Sequence, residues 1–195
     1  MKKIILASAS PRRKELLEQI GMDFEVMVCG GEAPTETMIP EEVVKEHALQ
    51  KMKAVLAHLE EMDRKDDVII LSADTVVSYD NQILEKPKDE QDAQNMLAML
   101  QGNTHQVYTG VALYDYLSKK KKVFAQKTEV SFYPMTEEEI ASYISTKEPM
   151  DKAGSYGIQG IGGKFVREIR GDYNNVVCLP IARIYQEIKW MMNND

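Results

Sequence analysis

The stretch "VIILSADTVV", Val68–Val77, decides the fold. Its first four residues are apolar without alternation, so Val68 to Leu71 reads as a strand covered on both faces. Asp74 stands directly behind that run. A carboxylate placed there sits at the carboxyl edge of a sheet, where open α/β folds hold their ligands. The strand behind it would fix it rigidly, which suits a metal ligand or a general base for water. The alternative is an aspartate making a local turn with Thr75.

Upstream, Lys3 to Ala7 reads as a short buried strand. Ser10 is an N-cap residue and Pro11 suits the first helical position; Leu16, Leu17 and Ile20 give that helix an apolar face, and Gly21 ends it. Phe24 to Val28 is a second strand, residues 29–39 a loop, and a longer helix fits Pro40 to about Glu60. Its Val44, Ala48, Met52, Val55 and Leu59 repeat at helical spacing. Downstream, Asp80-Asn81 turns the chain before Ile83-Leu84, and Asp89 caps a helix through Leu100 that Gly102 stops. Val107 to Tyr114 and Val123 to Tyr133 read as strands joined through a solvated "SKKKK" tip at 118–122. Thr136 with Glu139 makes a capping box for a helix to about Thr146. A glycine-rich loop at 150–163 follows, then short strands at Lys164 to Ile169 and Val176-Val177, and Pro180 starts a last helix through about Met191. Interleaved strands and helices, with some adjacent strand pairs, predict an α/β fold on a mixed β-sheet with flanking helices.

The totals narrow the function. The 195 residues fit one domain, or one domain with two lobes around a cleft. With 24 basic against 31 acidic residues the net charge is −7, which argues against a general nucleic-acid binder while leaving room for a local cationic pocket. The apolar run at Ile4-Ile5-Leu6 is too short for a signal peptide, and no run approaches a membrane span. Two cysteines, Cys29 and Cys178, make no disulfide framework, so a reduced cytoplasmic setting is the simplest reading. The three histidines, His47, His58 and His105, lie far apart and lack zinc-ligand spacing.

Four further segments carry candidate chemistry. In "LASASPRRKELLEQIG", Leu6–Gly21, Ser8, Ser10, Arg12 and Arg13 stand where a strand hands over to a helix. A helix start leaves unpaired N–H groups and a partial positive charge, so hydroxyls and guanidiniums there form an anion site with phosphate as its natural guest. The plainer alternative is a simple cap with surface arginines. Lys51 lies at the border of the long helix's apolar stripe, where an ammonium either extends to solvent or reaches into a cleft. Lys86, ahead of Pro87, is either aimed at a phosphate or solvated. In "DKAGSYGIQGIGG", Asp151–Gly163, five glycines allow close approach to a ligand, and Gln159 offers an amide to a base edge; the alternative is a hairpin without a ligand. "GDYNNVVCLP", Gly171–Pro180, reads as structural.

These segments, with "ALQKMKAV", "SADTVV", "LEKPKD", "THQVYTGVAL" and "EPMDKAGSYGIQG", follow one another in the order found in the Maf family of nucleotide pyrophosphatases. The chain resembles that family through nearly its whole length. The resemblance implies one domain over residues 1–195, with two lobes around a central cleft, similar to the inosine-triphosphate pyrophosphatases. It implies hydrolysis of a nucleoside triphosphate to the monophosphate and pyrophosphate with a divalent metal cation, Mg²⁺ or Mn²⁺, in a cytoplasmic homodimer that binds neither nucleic acid nor membrane. By the same resemblance Asp74 is the proton acceptor, with Lys51 and Lys86 in the catalytic set. Arg12, Thr75 and Gln159 fall on the specificity positions of the dTTP/UTP branch, and Ser8 and Arg13 on substrate-binding positions. Glu32 joins Asp74 as a metal ligand. The alternatives are a 7-methyl-GTP pyrophosphatase, disfavoured because Arg12 replaces that branch's tryptophan, and a non-catalytic nucleotide-binding regulator of cell division. Three residues depart from the family pattern: Gly31 where it often has an acid, and Ser72 and Cys178 where it has glycine.

Overall fold

The computed structural model describes residues 2–31, 33–64 and 67–193. A seven-stranded sheet runs through it in the order β2-β1-β3-β5-β6-β7, with β4 paired to β3. The chain divides into two compact units: one up to Asp74 with Thr109–Gln126 and the residues from Cys178 onward, the other of Thr75–Tyr108 and Lys127–Val177.

In the first unit, β1 (Lys3–Leu6) pairs in parallel with β2 (Phe24–Val26) and with β3 (Val68–Tyr79). Parallel neighbours need crossovers, and the helices α1 (Pro11–Gln19) and α2 (Pro40–Glu61) supply them. Ile4, Ile5 and Leu6, like Ile69, Ile70 and Leu71 beside them, are fully buried, as unbroken apolar runs require. α2 buries Val43, Val44, Ala48, Met52, Val55 and Leu59 along one stripe. Each large apolar side chain removed from water contributes about 1.5–3 kcal/mol, so this stripe fixes the helix against the strands. Two contacts set how closely. The Ser72 hydroxyl donates to the Ala48 carbonyl at 2.6 Å. A Cβ on Gly110, in β5 (Thr104–Asp115), would collide with the Val44 carbonyl. The helix α6 (Ile181–Asn193) belongs to the same unit and buries Ile181, Ile184, Ile188 and Met191.

The second unit packs α3 (Glu90–Leu100) and α4 (Glu137–Ser145) around Val107, Val130 and Phe132. Both expected caps form: Asp89 accepts from the Asp92 amide at 2.8 Å, and Thr136 and Glu139 make a reciprocal capping box. β4 (Gln82–Leu84) pairs antiparallel with the end of β3, and β7 (Val166–Arg170) antiparallel with β6 (Lys121–Phe132).

Two sequence expectations are corrected. Val176-Val177 belongs not to a strand but to a short helix, α5 (Tyr173–Val177). The Asp172 carboxylate accepts from the Asn174 amide at 2.8 Å and starts a helical turn that the β-branched pair then follows. The strand beginning at Val68 does not end at Leu71 but runs on to Tyr79, because its far half pairs with β4 from Val77 to Tyr79. Asp74 therefore lies inside β3, and no turn with Thr75 forms; it stands beyond the end of β1, whose pairing with β3 stops at Leu71.

Candidate active site

The site in the first unit is built on four elements, β1, α1, α2 and β3. Ser8 follows β1, Arg12 and Arg13 occupy the first turn of α1, and His47 and Lys51 lie one turn apart on α2, where residues four apart share a face. Asp74 faces the same helix as Ser72, because residues two apart in a strand share a side.

Asp74 is held at both oxygens. The Lys51 ammonium donates to Oδ1 at 2.7 Å and His47 Nδ1 stands 3.1 Å from Oδ2. An ionised carboxylate only accepts, so Nδ1 carries the proton in this pair. Lys51 also reaches the Ala73 carbonyl at 3.3 Å. All three side chains are largely shielded, at 13–21% exposure. Burial alone would push the Asp74 carboxyl up; the His47 hydrogen bond, the Lys51 charge and the nearby Arg13 charge outweigh it and hold it down at about 2. Asp74 is thus ionised throughout the neutral range.

Arg13 is itself anchored. It donates to the Ser8 hydroxyl at 3.0 Å and through Nε to the Cys178 carbonyl at 3.2 Å. Ser10 takes the N-cap position of α1 as expected, but its side chain makes no capping hydrogen bond; the Ser8 hydroxyl accepts from the Ser10 amide at 3.3 Å, and the Ser10 hydroxyl stands 4.0 Å from the Cys178 sulfur. The first turn of α1 carries no acid, so two guanidiniums stand at the positive end of a helix dipole. That placement is unfavourable by about 0.3–1 kcal/mol per charge unless an anion offsets it.

Of the residues singled out in the sequence, Ser8, Arg13, Lys51 and Asp74 come together here, and Arg12 shares the α1 turn. The solvated alternative for Lys51 is excluded by its ion pair with Asp74. Thr75, Lys86 and Gln159 belong to the second unit. Thr75 continues β3, Lys86 is exposed in a bend after β4, and Gln159 is exposed in a turn of the glycine-rich loop. Glu32 lies outside the described residues. His47 was missed by sequence reasoning; the available signal was a histidine one helical turn ahead of Lys51, at the edge of the α2 stripe.

Among the described residues no group of three or more His, Cys, Asp or Glu is placed to hold a metal ion. What remains is the Asp74 carboxylate, a hard oxygen donor. It suits a cation such as Mg²⁺, which commonly takes one or two protein carboxylates and otherwise keeps waters and substrate phosphates. No helix among the described residues is long and apolar enough to cross a membrane.

The family profile described as Maf-like protein matches residues 3–191. The chain belongs to the Maf family. Maf relatives include a dTTP/UTP pyrophosphatase of Agathobacter rectalis, 52% identical over 200 residues covering 97% of each chain. Another, from Bacillus cytotoxicus, is 55% identical over 191 residues, 97% of this chain and 95% of that one. A third, from Bacillus cereus, is 52% identical over 191 residues with the same coverage.

Against the Maf pattern, the glycine position at 178 is the informative departure. Cys178 has a φ of 141°, a region that suits glycine and strains any residue with a Cβ. Such strain amounts to about 1–3 kcal/mol, part of which the buried cysteine side chain offsets by its packing. Cys178→Gly is expected to raise stability by about 1 kcal/mol, or roughly 2–4 °C in Tm for a chain of this size. Turnover should hold, because the backbone carbonyl that receives Arg13 is unchanged. Paired thermal melts and activity assays check this; a lower Tm would show that the lost cysteine packing and the freer unfolded chain outweigh the strain at this turn.

Proposed function

We propose that this chain hydrolyses dTTP and UTP to the monophosphate and pyrophosphate. The observation that carries the reading is Asp74, kept ionised between Lys51 and His47 in the unit that also anchors Arg13 through Ser8 and Cys178. The Agathobacter and Bacillus relatives, each named a dTTP/UTP pyrophosphatase, support the substrate.

A triphosphate brings about four negative charges, and Arg12, Arg13, Lys51 and the α1 amino terminus offer the compensating field. A water oxygen forms the new bond to phosphorus while the anhydride bridge between the α and β phosphates breaks. Held down at about 2, Asp74 is a weak proton acceptor in this arrangement, but it is well suited to orient that water through an accepted hydrogen bond. When the incoming phosphates draw the Lys51 ammonium toward themselves, Asp74 loses a stabilising charge and becomes more basic, so substrate binding itself prepares it to receive the water's proton. A divalent cation, Mg²⁺ or Mn²⁺, belongs to the proposal, with Glu32 to hold it; Asp74 would be its second ligand in the alternative in which this carboxylate binds the metal instead of taking the proton. When bound, the cation neutralises phosphate charge and stabilises the departing pyrophosphate. In this proposal Lys86 joins Asp74 and Lys51 in the catalytic set, and Thr75 and Gln159 bind substrate, with the Gln159 amide pairing to the O4 and N3–H edge of uracil or thymine. Cytosine presents the reverse pattern. A cytoplasmic homodimer that binds neither nucleic acid nor membrane completes the proposal.

A pyrophosphate-release assay across dTTP, UTP, CTP and 7-methyl-GTP, with Mg²⁺ or Mn²⁺, tests this. UTP and dTTP should exceed CTP and 7-methyl-GTP by about tenfold or more in kcat/KM, since a site built to pair with one base edge rejects the reversed edge. Nucleotide binding without any turnover would replace the enzyme with a regulator, and preference for 7-methyl-GTP would move the chain to another branch.

A further inference from the structure

The glycine-rich loop is shaped by one acidic side chain that the proposed reaction does not use. Glu148 precedes the loop, at the start of a 3₁₀ turn (Glu148–Asp151). Its carboxylate turns back into the loop and accepts from the Ile161 amide at 2.9 Å, the Gly162 amide at 3.0 Å and the Tyr143 hydroxyl at 2.8 Å. The Tyr143 oxygen in turn accepts from the Gly157 amide at 3.1 Å. A Cβ on Gly160 would collide with the Glu148 carboxylate, so that glycine makes room for a protein group. One residue ahead of Gly157, the Tyr156 hydroxyl is 2.8 Å from Nε2 of the buried His105. The exposed Gln159 sits midway between the fastened residues Gly157 and Ile161, two positions from each.

Three donors converge on one carboxylate, and their targets bracket Gln159. We propose that Glu148, with Tyr143, is the positioning residue for the turn that presents Gln159, and through it sets the preference for uracil or thymine over cytosine. This rests on the reading that Gln159 pairs with the base. Glutamine cannot replace Glu148: its amide keeps one accepting oxygen and turns a second donor toward the loop's N–H groups. Aspartate is one methylene too short to span the same donors.

The test uses the full chain and three variants, Glu148→Gln, Tyr143→Phe and Gln159→Ala. In Glu148→Gln, the amides of Ile161 and Gly162 should exchange with deuterium at least about tenfold faster, while those of β1 and α2 keep wild-type rates. The ratio of kcat/KM for UTP over CTP should fall about tenfold, carried by KM, with kcat for UTP changing less than about threefold. Tyr143→Phe keeps the ring against Phe165 and should free the Gly157 amide with a smaller loss of the same ratio; it decides the question if Glu148→Gln does not fold. Unchanged loop exchange in these variants overturns the proposal, as does an unchanged UTP/CTP ratio despite faster exchange. Gln159→Ala separates the two levels: an intact ratio in that variant overturns the base-reading role and the positioning role with it. A lost ratio in Gln159→Ala beside an intact one in Glu148→Gln overturns only the positioning.

Discussion

Asp74→Asn is expected to lower kcat by about 10³-fold while nucleotide still binds, and a turnover within tenfold of wild type would end its catalytic assignment. The substitution keeps the shape of the side chain. The amide oxygen can still accept from Lys51, and the amide nitrogen can donate to His47 Nδ1 once that ring shifts its proton to Nε2, so the local packing has a way to survive. What disappears is the negative charge proposed to orient water and hold a cation. Removing that charge beside Arg13 and Lys51 also makes the site more attractive to phosphates, so the dissociation constant measured by calorimetry should stay level or fall. Stability should carry its own pH signature. The folded carboxyl is held at about 2, below its ordinary 3.8, so the ionised group stabilises the protein by about 2 kcal/mol above pH 4 and loses that contribution as pH falls through 2. The difference in stability between wild type and Asp74→Asn should therefore shrink on acidification. A difference that stayed constant from pH 7 to pH 2.5 would contradict the cause assigned to the depressed value.

Much of this arrangement was legible in the sequence because it rests on local rules. The proline at the start of α1, the capping box at Thr136 and the α2 stripe each need only a few neighbouring residues, and all three form. The parts that were not legible depend on contacts between distant segments. His47 meets Asp74 across 27 positions because Ser72 ties β3 to Ala48 and Gly110 admits α2 close to β5. No spacing rule encodes that approach. Lys51 was ambiguous for the same reason, since a lysine at the edge of a stripe looks alike whether it meets water or a carboxylate. Val176-Val177 misled in the opposite way: two β-branched residues favour a strand, and Asp172 four residues earlier had already begun a helix. In the glycine-rich loop, composition suggested room for a ligand, whereas at Gly160 the room is taken by Glu148.

Arg13→Lys is the second large effect, an expected loss of about 10²-fold in kcat/KM although the charge is retained. Arg13 is buried, and its guanidinium spans two fixed acceptors, the Ser8 hydroxyl and the Cys178 carbonyl. These hold the planar fork at the start of α1, where the proposed phosphate would meet it. A lysine nitrogen is a single point on a flexible stem and cannot bridge both acceptors, so it sacrifices either the anchor or the substrate. Where the lysine gives up the anchor, the buried Cys178 carbonyl loses the Arg13 hydrogen bond, which should lower stability by about 1–3 kcal/mol. Comparison with Arg13→Met separates geometry from charge. The methionine variant removes one of the positive charges that hold Asp74 ionised, so its carboxyl should titrate higher than in Arg13→Lys, where the charge persists. If Arg13→Lys retained activity within threefold of wild type while Arg13→Met lost it, charge alone would be what the site requires of this residue, and the fork anchored by Ser8 and Cys178 would have no part in binding phosphate.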